Sequence, residues 1–232
     1  MRTALKGEPG PYDRCPCGSR AKGKFCCRTP THWFKTPAQP SMDERTGHTD
    51  PKCFAALLDD CCDEPSKEHV IPRAMIEVAG TAAVHVKGMG WLNGEEKMVG
   101  TSALTARVSC KRHNSSSSLF DDAVTMVFKA LRTFYREPWG AENSGVRLVS
   151  GPDLERGLLK MLMCAAAAGW LAGAAGVVRL GQGDPLLLDM LYGGGDLASL
   201  AGVYFLQPWR TIERETLWIS LSSSIKRMPQ RL

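Results

Sequence analysis

The sequence predicts an α+β protein with three parts: a small cysteine knuckle, a strand–strand–helix core, and a mainly helical C-terminal region with a few strands. Three observations carry this prediction. Four cysteines fall between Cys15 and Cys27 in a Cys-Pro-Cys and Cys-Cys pattern. Two Val- and Thr-rich stretches, residues 81–86 and 99–108, are β-prone, and a run of apolar residues at helical spacing follows them from Leu119. Finally, a Leu-, Met- and Ala-rich stretch begins near Asp153.

Composition limits the function classes. Apolar residues make up 44% and charged residues 23%, ordinary globular usage that excludes wholesale disorder. A chain of 232 residues holds one medium domain, or a small module beside a core-forming domain. The net charge of +5 permits contact with a polyanion without demanding one. Nine cysteines is an odd number, and Met1–Gly10 carries charges where a secretory signal needs an apolar run. Metal-bound thiolates in a reducing, cytoplasmic setting are therefore expected rather than a disulfide framework.

In chain order, residues 1–13 read as a flexible tail and residues 14–36 as the knuckle. Cys15, Cys17, Cys26 and Cys27 suit a tetrahedral zinc site, in which Zn–S bonds of about 2.3 Å require all four sulfurs to converge. Pro16 and Gly18 favour the tight turn. Arg14, Arg20, Lys22, Lys24, Arg28 and Lys35, interleaved with Phe25, Trp33 and Phe34, form a basic face able to meet protein or nucleic acid. His32 beside Trp33 is surplus to a site that four cysteines already fill. Residues 37–51, with Pro37, Pro40, Pro51 and Gly47 and no apolar period, read as a linker carrying an exposed His48.

Residues 52–136 form the next unit. A short apolar turn separates Cys53 from Cys61. Val70-Ile71 before Pro72 predicts an extended segment, and residues 73–79 a short helix. His85 alternates with Val84 and Val86 as a surface strand position, and residues 88–94 are a turn. The spacing of Leu119, Val124, Val127, Phe128 and Leu131 predicts a helix over 119–136, with Ser118 or a neighbour as its cap.

Glu137-Pro-Trp-Gly140 ends that helix, and residues 137–150 form a connection. Residues 151–232 are a packing region. It opens with a helix capped by Asp153, places Cys164 in the core, turns at Gly193-Gly-Gly195, and has strands at 203–206 and 216–222. Residues 161–178 carry no charge, but Ala and Gly dominate. They predict a buried helix and no membrane span.

Two resemblances add to this reading. Cys15-Pro-Cys-Gly-Ser19, the spaced lysines and the terminal Cys26-Cys27 pair resemble the SEC-C zinc-binding motif. Family members often end in Cys-His. Glu68-His69-Val-Ile-Pro72, Cys110-x-x-His113-Asn114 and Asp121 at a helix start resemble the HNH, or ββα-metal, nucleases in their zinc-knuckle variant. The wider segment, with Cys53-x7-Cys61 and Leu154-Glu-Arg156, is similar to bacterial proteins that pair a SEC-C knuckle with an HNH-like core.

The resemblance implies a second structural zinc on Cys53, Cys61, Cys110 and His113, with Cys62 a rival for Cys61. It implies His69 as general base, Glu68 and Asp121 as ligands of one Mg²⁺ or Mn²⁺, and Asn114 as the residue that fixes the loop or orients His69. Many family members have Asp or His in place of Glu68, and Asn or His in place of Asp121. The implied activity is metal-dependent hydrolysis of DNA or RNA. The alternative is a catalytically inactive zinc adaptor that docks a nucleic acid or, through the knuckle, a protein.

Overall fold

The structure, a computed structural model, describes residues 9–40, 44–80, 83–136, 146–173, 176–178 and 183–195. The chain divides into two compact units, Met1–Gly202 and Val203–Leu232, and every described residue belongs to the first. The strands expected at 203–206 and 216–222 and the helix break at 137–140 lie outside the described residues.

The centre of the fold is an antiparallel pair, β1 (Pro65–His69) and β4 (Thr105–Cys110), in the register Pro65↔Cys110, Ser66↔Ser109, Glu68↔Ala106 and His69↔Thr105. A bulge between Ser66 and Glu68 shifts that register. It leaves Glu68 buried while His69 stays half-buried. The extended segment expected over Val70–Pro72 thus ends earlier, at His69, and the chain turns into helix α1 (Arg73–Ala79).

Between the two strands lies a second hairpin, β2 (Ala83–Lys87) with β3 (Glu96–Gly100). The single strand expected over residues 99–108 is instead two, broken by a 3-10 turn at Thr101–Leu104 that sinks Leu104 fully into the core. Val86, Leu92 and Val99 face the same core, which gives the insertion its reason to fold back. On its outer side Glu96 pairs with His85 at 3.0 Å and with Lys87.

Helix α2 (Lys111–Ser117) leaves β4 directly, and α3 (Leu119–Arg136) follows after one residue. The serine run expected to cap α3 is instead mostly part of α2. Ser116 and Ser117 donate to the His113 carbonyl at 3.2 and 2.8 Å, and Ser118 donates to that of Ser115 at 2.8 Å. Serine is a modest helix former. The helix exists because Cys110 and His113, three residues apart, are both drawn into one buried cluster.

Helix α4 (Gly151–Ala167) packs on α3. Ser150 caps it, accepting from the Asp153 amide at 3.3 Å, with Pro152 in the first turn. Asp153, the expected cap, instead accepts from the Ala38 amide at 2.8 Å, while Arg156 donates to the Ala38 carbonyl at 3.2 Å. These bonds strap the Pro-rich stretch after the knuckle onto α4. The helices meet at Gly157, where a Cβ would stand 2.5 Å from Val124 Cγ2 and 2.7 Å from the Phe120 carbonyl oxygen. Only glycine allows that approach. Strands β5 (Leu171–Gly173) and β6 (Gly176–Val178) pair antiparallel. Helix α5 (Pro185–Leu188) leads into a π-turn, Asp189–Gly193, that buries Met190, Leu191 and Tyr192. Cys164 lies in the core as expected, 1% exposed. Among the described residues no helix is long and apolar enough to cross a membrane.

Candidate metal centres and the adjoining ion-pair site

The knuckle is held by its own backbone. The Cys15 amide donates to the Ala21 carbonyl at 2.7 Å, and the Gly18 amide to that of Cys15 at 3.2 Å, with Gly18 at φ +86° as the turn requires. The loop returns through an isolated bridge between Arg14 and Lys22. Trp33 covers Gly23, and a Cβ there would run into the indole. The result is a cluster of Cys15, Cys17, Cys26 and Cys27 whose sulfurs lie within 4.8 Å of one another. Burial opposes ionisation of Cys17, but hydrogen bonds from the Ser19 hydroxyl and amide outweigh it and bring the thiol down to about 6. Burial and the crowding of neighbouring thiols push Cys27 up. Four thiols so arranged cannot all ionise without a cation at their centre. His32 stands apart, in contact with the Thr29 and Thr31 hydroxyls.

The second cluster, Cys53, Cys61, Cys110 and His113, is fully buried, its ligand atoms also within 4.8 Å of one another. His113 directs Nδ1 at all three sulfurs, 3.5 Å from Cys53, 3.8 Å from Cys61 and 3.2 Å from Cys110. Burial holds the imidazole neutral, lowering its pKa to about 4 despite the nearby Asp60 carboxylate. Burial and the adjacent thiols push Cys53 up. The Cys110 amide already donates to Cys53 Sγ at 3.4 Å.

Cys61, rather than Cys62, turns toward this cluster. Cys62 stands outside the set of converged donors, and its sulfur accepts from the Arg112 amide at 3.3 Å. Polar pairs brace the cluster on one side. Asp60 accepts from the Thr46 amide at 2.9 Å and from Arg112 at 3.1 Å, and Thr46 Oγ1 donates to the Cys61 carbonyl at 2.6 Å. Tyr192 closes the far side. Its hydroxyl donates to the His113 carbonyl at 3.2 Å, and its ring meets the imidazole edge-on at 5.1 Å. Nothing in the local sequence around Tyr192 marked it for this role.

The remaining residues singled out by sequence sort into three places. Glu68, from β1, and Asp121, in the first turn of α3, converge. What stands between them is Lys160 of α4, with Nζ 3.0 Å from Glu68 Oε1 and 3.0 and 2.9 Å from the two Asp121 oxygens. The carboxylates assigned to a divalent cation are thus gathered around an ammonium. As arranged, they do not fit a hard divalent ion as well, because the position between them is filled by a cation. Lys160 and Glu68 are 2% and 3% exposed. Burial pushes both carboxyls up against the opposing pull of Lys160. For the lysine, the two carboxylates outweigh burial and raise its pKa.

Asn114 sits apart from this triad. Its amide donates to the Ser66 hydroxyl at 2.6 Å and ties α2 to β1 beside the bulge. His69 opens into a cleft of about 470 Å³ lined by Lys67, Arg73, Ile76, Glu77, Thr101, Ser102 and Thr105, in which Arg73 pairs with Glu77 at 2.8 Å. Burial and then the charges of Arg73 and Lys67 lower its pKa, with Asp121 pulling the other way.

Sequence reasoning missed Lys160. A signal was present, since it is the only charged residue between Arg156 and Arg179. A lone cation in such an apolar stretch needs a buried countercharge.

No family model, curated protein or solved structure matches the chain. The class follows from the site alone: two converged sets of soft donors define a candidate metal-binding protein within a mixed α/β unit of small antiparallel sheets.

Proposed function

We propose that this chain is an HNH-like, zinc-built module that binds nucleic acid without hydrolysing it. Cys15, Cys17, Cys26 and Cys27 would hold one zinc, and Cys53, Cys61, Cys110 and His113 the other. A four-ligand shell of thiolate and imidazole cross-links the chain and offers no open position for catalysis. The β1–β4 pair running into α2 and α3, with the second cluster at its root, supports the ββα-metal reading.

The observation that carries the non-hydrolytic assignment is Lys160 Nζ at 2.9–3.0 Å from both Asp121 and Glu68. The cleft beside His69 supplies the binding side. Lys67 attracts phosphate, Arg73 shares its charge with Glu77 at 2.8 Å, and the Thr101 and Ser102 hydroxyls add neutral donors. The knuckle adds a second face, where Lys24 lies over the exposed Tyr12 and Phe25 rings at 4.1 and 4.5 Å. That face suits a protein partner as well.

Metal-dependent cleavage with His69 as general base is the second reading. The closeness of the Glu68 and Asp121 carboxylates, with His69 near enough to feel the Asp121 charge, favours it. A single experiment separates the two. Labelled DNA and RNA are incubated with zinc-loaded protein in Mg²⁺ or Mn²⁺, and both binding and cleavage are followed for wild type, His69→Ala and Lys67→Ala/Arg73→Ala. The proposal expects salt-sensitive binding, weakened in the double variant, and no cleavage that depends on His69. Cleavage lost in His69→Ala establishes the nuclease, and absence of binding overturns both readings.

A further inference from the structure

The Glu68–Lys160–Asp121 cluster carries an inference of its own. An ammonium has three N–H donors, and Lys160 makes three short contacts, one to Glu68 and two to Asp121. It donates to both Asp121 oxygens and pairs with Glu68, so its charge is shared by two carboxylates that come from different elements, β1 and the start of α3. Nor is the ammonium free to swing aside. Gly157, one turn earlier on α4, is pressed against the Phe120 carbonyl and Val124, which fixes the distance between the two helices. The lysine side chain is 3% exposed, so withdrawal from the pair would strand its charge among buried apolar residues such as Leu159, Met163 and Cys164.

We propose that Lys160 is a tethered substitute for a divalent cation. It neutralises the Glu68–Asp121 pair, holds the two carboxylates at cation-binding separation, and shuts out Mg²⁺ and Mn²⁺. Removing the ammonium leaves two converged hard oxygen donors, one from β1 and one from α3, anchored by the same backbone. Such a pair, completed by waters, is the donor set that Mn²⁺ and Mg²⁺ take. The pair is therefore a latent metal site, and a single side chain keeps it closed. The choice of ion rests on the HNH-like reading above, while the closure rests on the three contacts.

The test is Mn²⁺ uptake by the full-length, zinc-loaded chain, read as loss of the free-ion paramagnetic resonance signal, with no nucleic acid present. Wild type is expected to bind no Mn²⁺ that Asp121→Asn abolishes. Lys160→Ala should take up one further equivalent, lost again in Lys160→Ala/Glu68→Gln. Lys160→Ser gives the same readout if the alanine variant does not fold, because its short hydroxyl empties the position between the carboxylates and can be hydrated.

Mn²⁺ bound by wild type and lost in Asp121→Asn overturns the proposal and needs no lysine variant to fold. A folded Lys160→Ala or Lys160→Ser that gains no Mn²⁺ overturns it as well. Since nucleic-acid binding is measured separately, its absence leaves the closed site standing, whereas Mn²⁺ uptake by wild type leaves nucleic-acid binding standing and removes only the non-hydrolytic assignment.

Discussion

Replacing Lys160 by methionine keeps the length and the apolar stem of the side chain but removes its charge. In the native chain, Lys160 Nζ contacts Glu68 at 3.0 Å and Asp121 at 2.9 and 3.0 Å, and the lysine and Glu68 side chains are 3% and 4% exposed. Removing one partner of such a pair leaves a buried carboxylate uncompensated, which costs about 3–5 kcal/mol. With a urea slope of about 2 kcal/mol/M, the unfolding midpoint falls by roughly 2 M. Most of the loss comes from Glu68, because Asp121 is 27% exposed and can be hydrated in part. The companion variant Glu68→Gln/Lys160→Met should therefore recover at least about 2 kcal/mol relative to Lys160→Met, a coupling of the size seen for residues in one buried network. Urea unfolding followed by circular dichroism, with zinc in excess throughout, measures both. A loss below about 1 kcal/mol for Lys160→Met, or simple additivity in the double variant, would show that the triad is hydrated and refute the reasoning.

Other expectations follow from the same geometry. Metal analysis of purified protein should give about two zincs per chain, as two closed four-ligand sites require. His113→Ala should lose one of them while Cys62→Ser keeps both, because Cys62 faces the Arg112 amide instead of the cluster. Gly157→Ala gains about 1 kcal/mol of helix propensity but puts a methyl 2.5 Å from Val124 Cγ2 and 2.7 Å from the Phe120 oxygen. Overpacking of about 1–3 kcal/mol should win, giving a net loss in thermal unfolding. For acid stability the sign follows from His113, whose folded-state pKa of about 4 lies below its ordinary 6.5. In the metal-free chain the stability it contributes is complete above pH 6.5 and is lost as pH falls toward 4, roughly 3 kcal/mol in all. Metal release acts in the same direction. Unfolding of wild type against His113→Gln over that range checks it, and an equal slope in both proteins removes His113 from the account.

The sequence by itself determined the first donor set and several helices, while the second set came from the family resemblance and left Cys62 as a rival for Cys61. Ligand spacing is a local property. Cys15-Pro-Cys17 and Cys110-x-x-His113 each bring two donors together within one turn of chain, so their pattern is readable without a fold. The helices Arg73–Ala79 and Leu119–Arg136 were legible for the same reason, since apolar spacing and flanking turns are written within a few residues. The partner of β4 was not legible from propensity. Residues 81–86 are the more β-prone stretch, yet β4 pairs with the polar Pro65–His69. That pairing is decided by the buried cluster pulling Cys53, Cys61 and Cys110 together. Tertiary structure alone decided what Glu68 and Asp121 hold. Whether two carboxylates enclose a metal or an ammonium depends on which helix packs against them, and Lys160 reaches them across 39 residues of chain from Asp121 because Gly157 lets α4 lie against α3. No local pattern encodes that approach. It is set by the fit of one helix against another, and the ammonium it delivers determines the charge of the site.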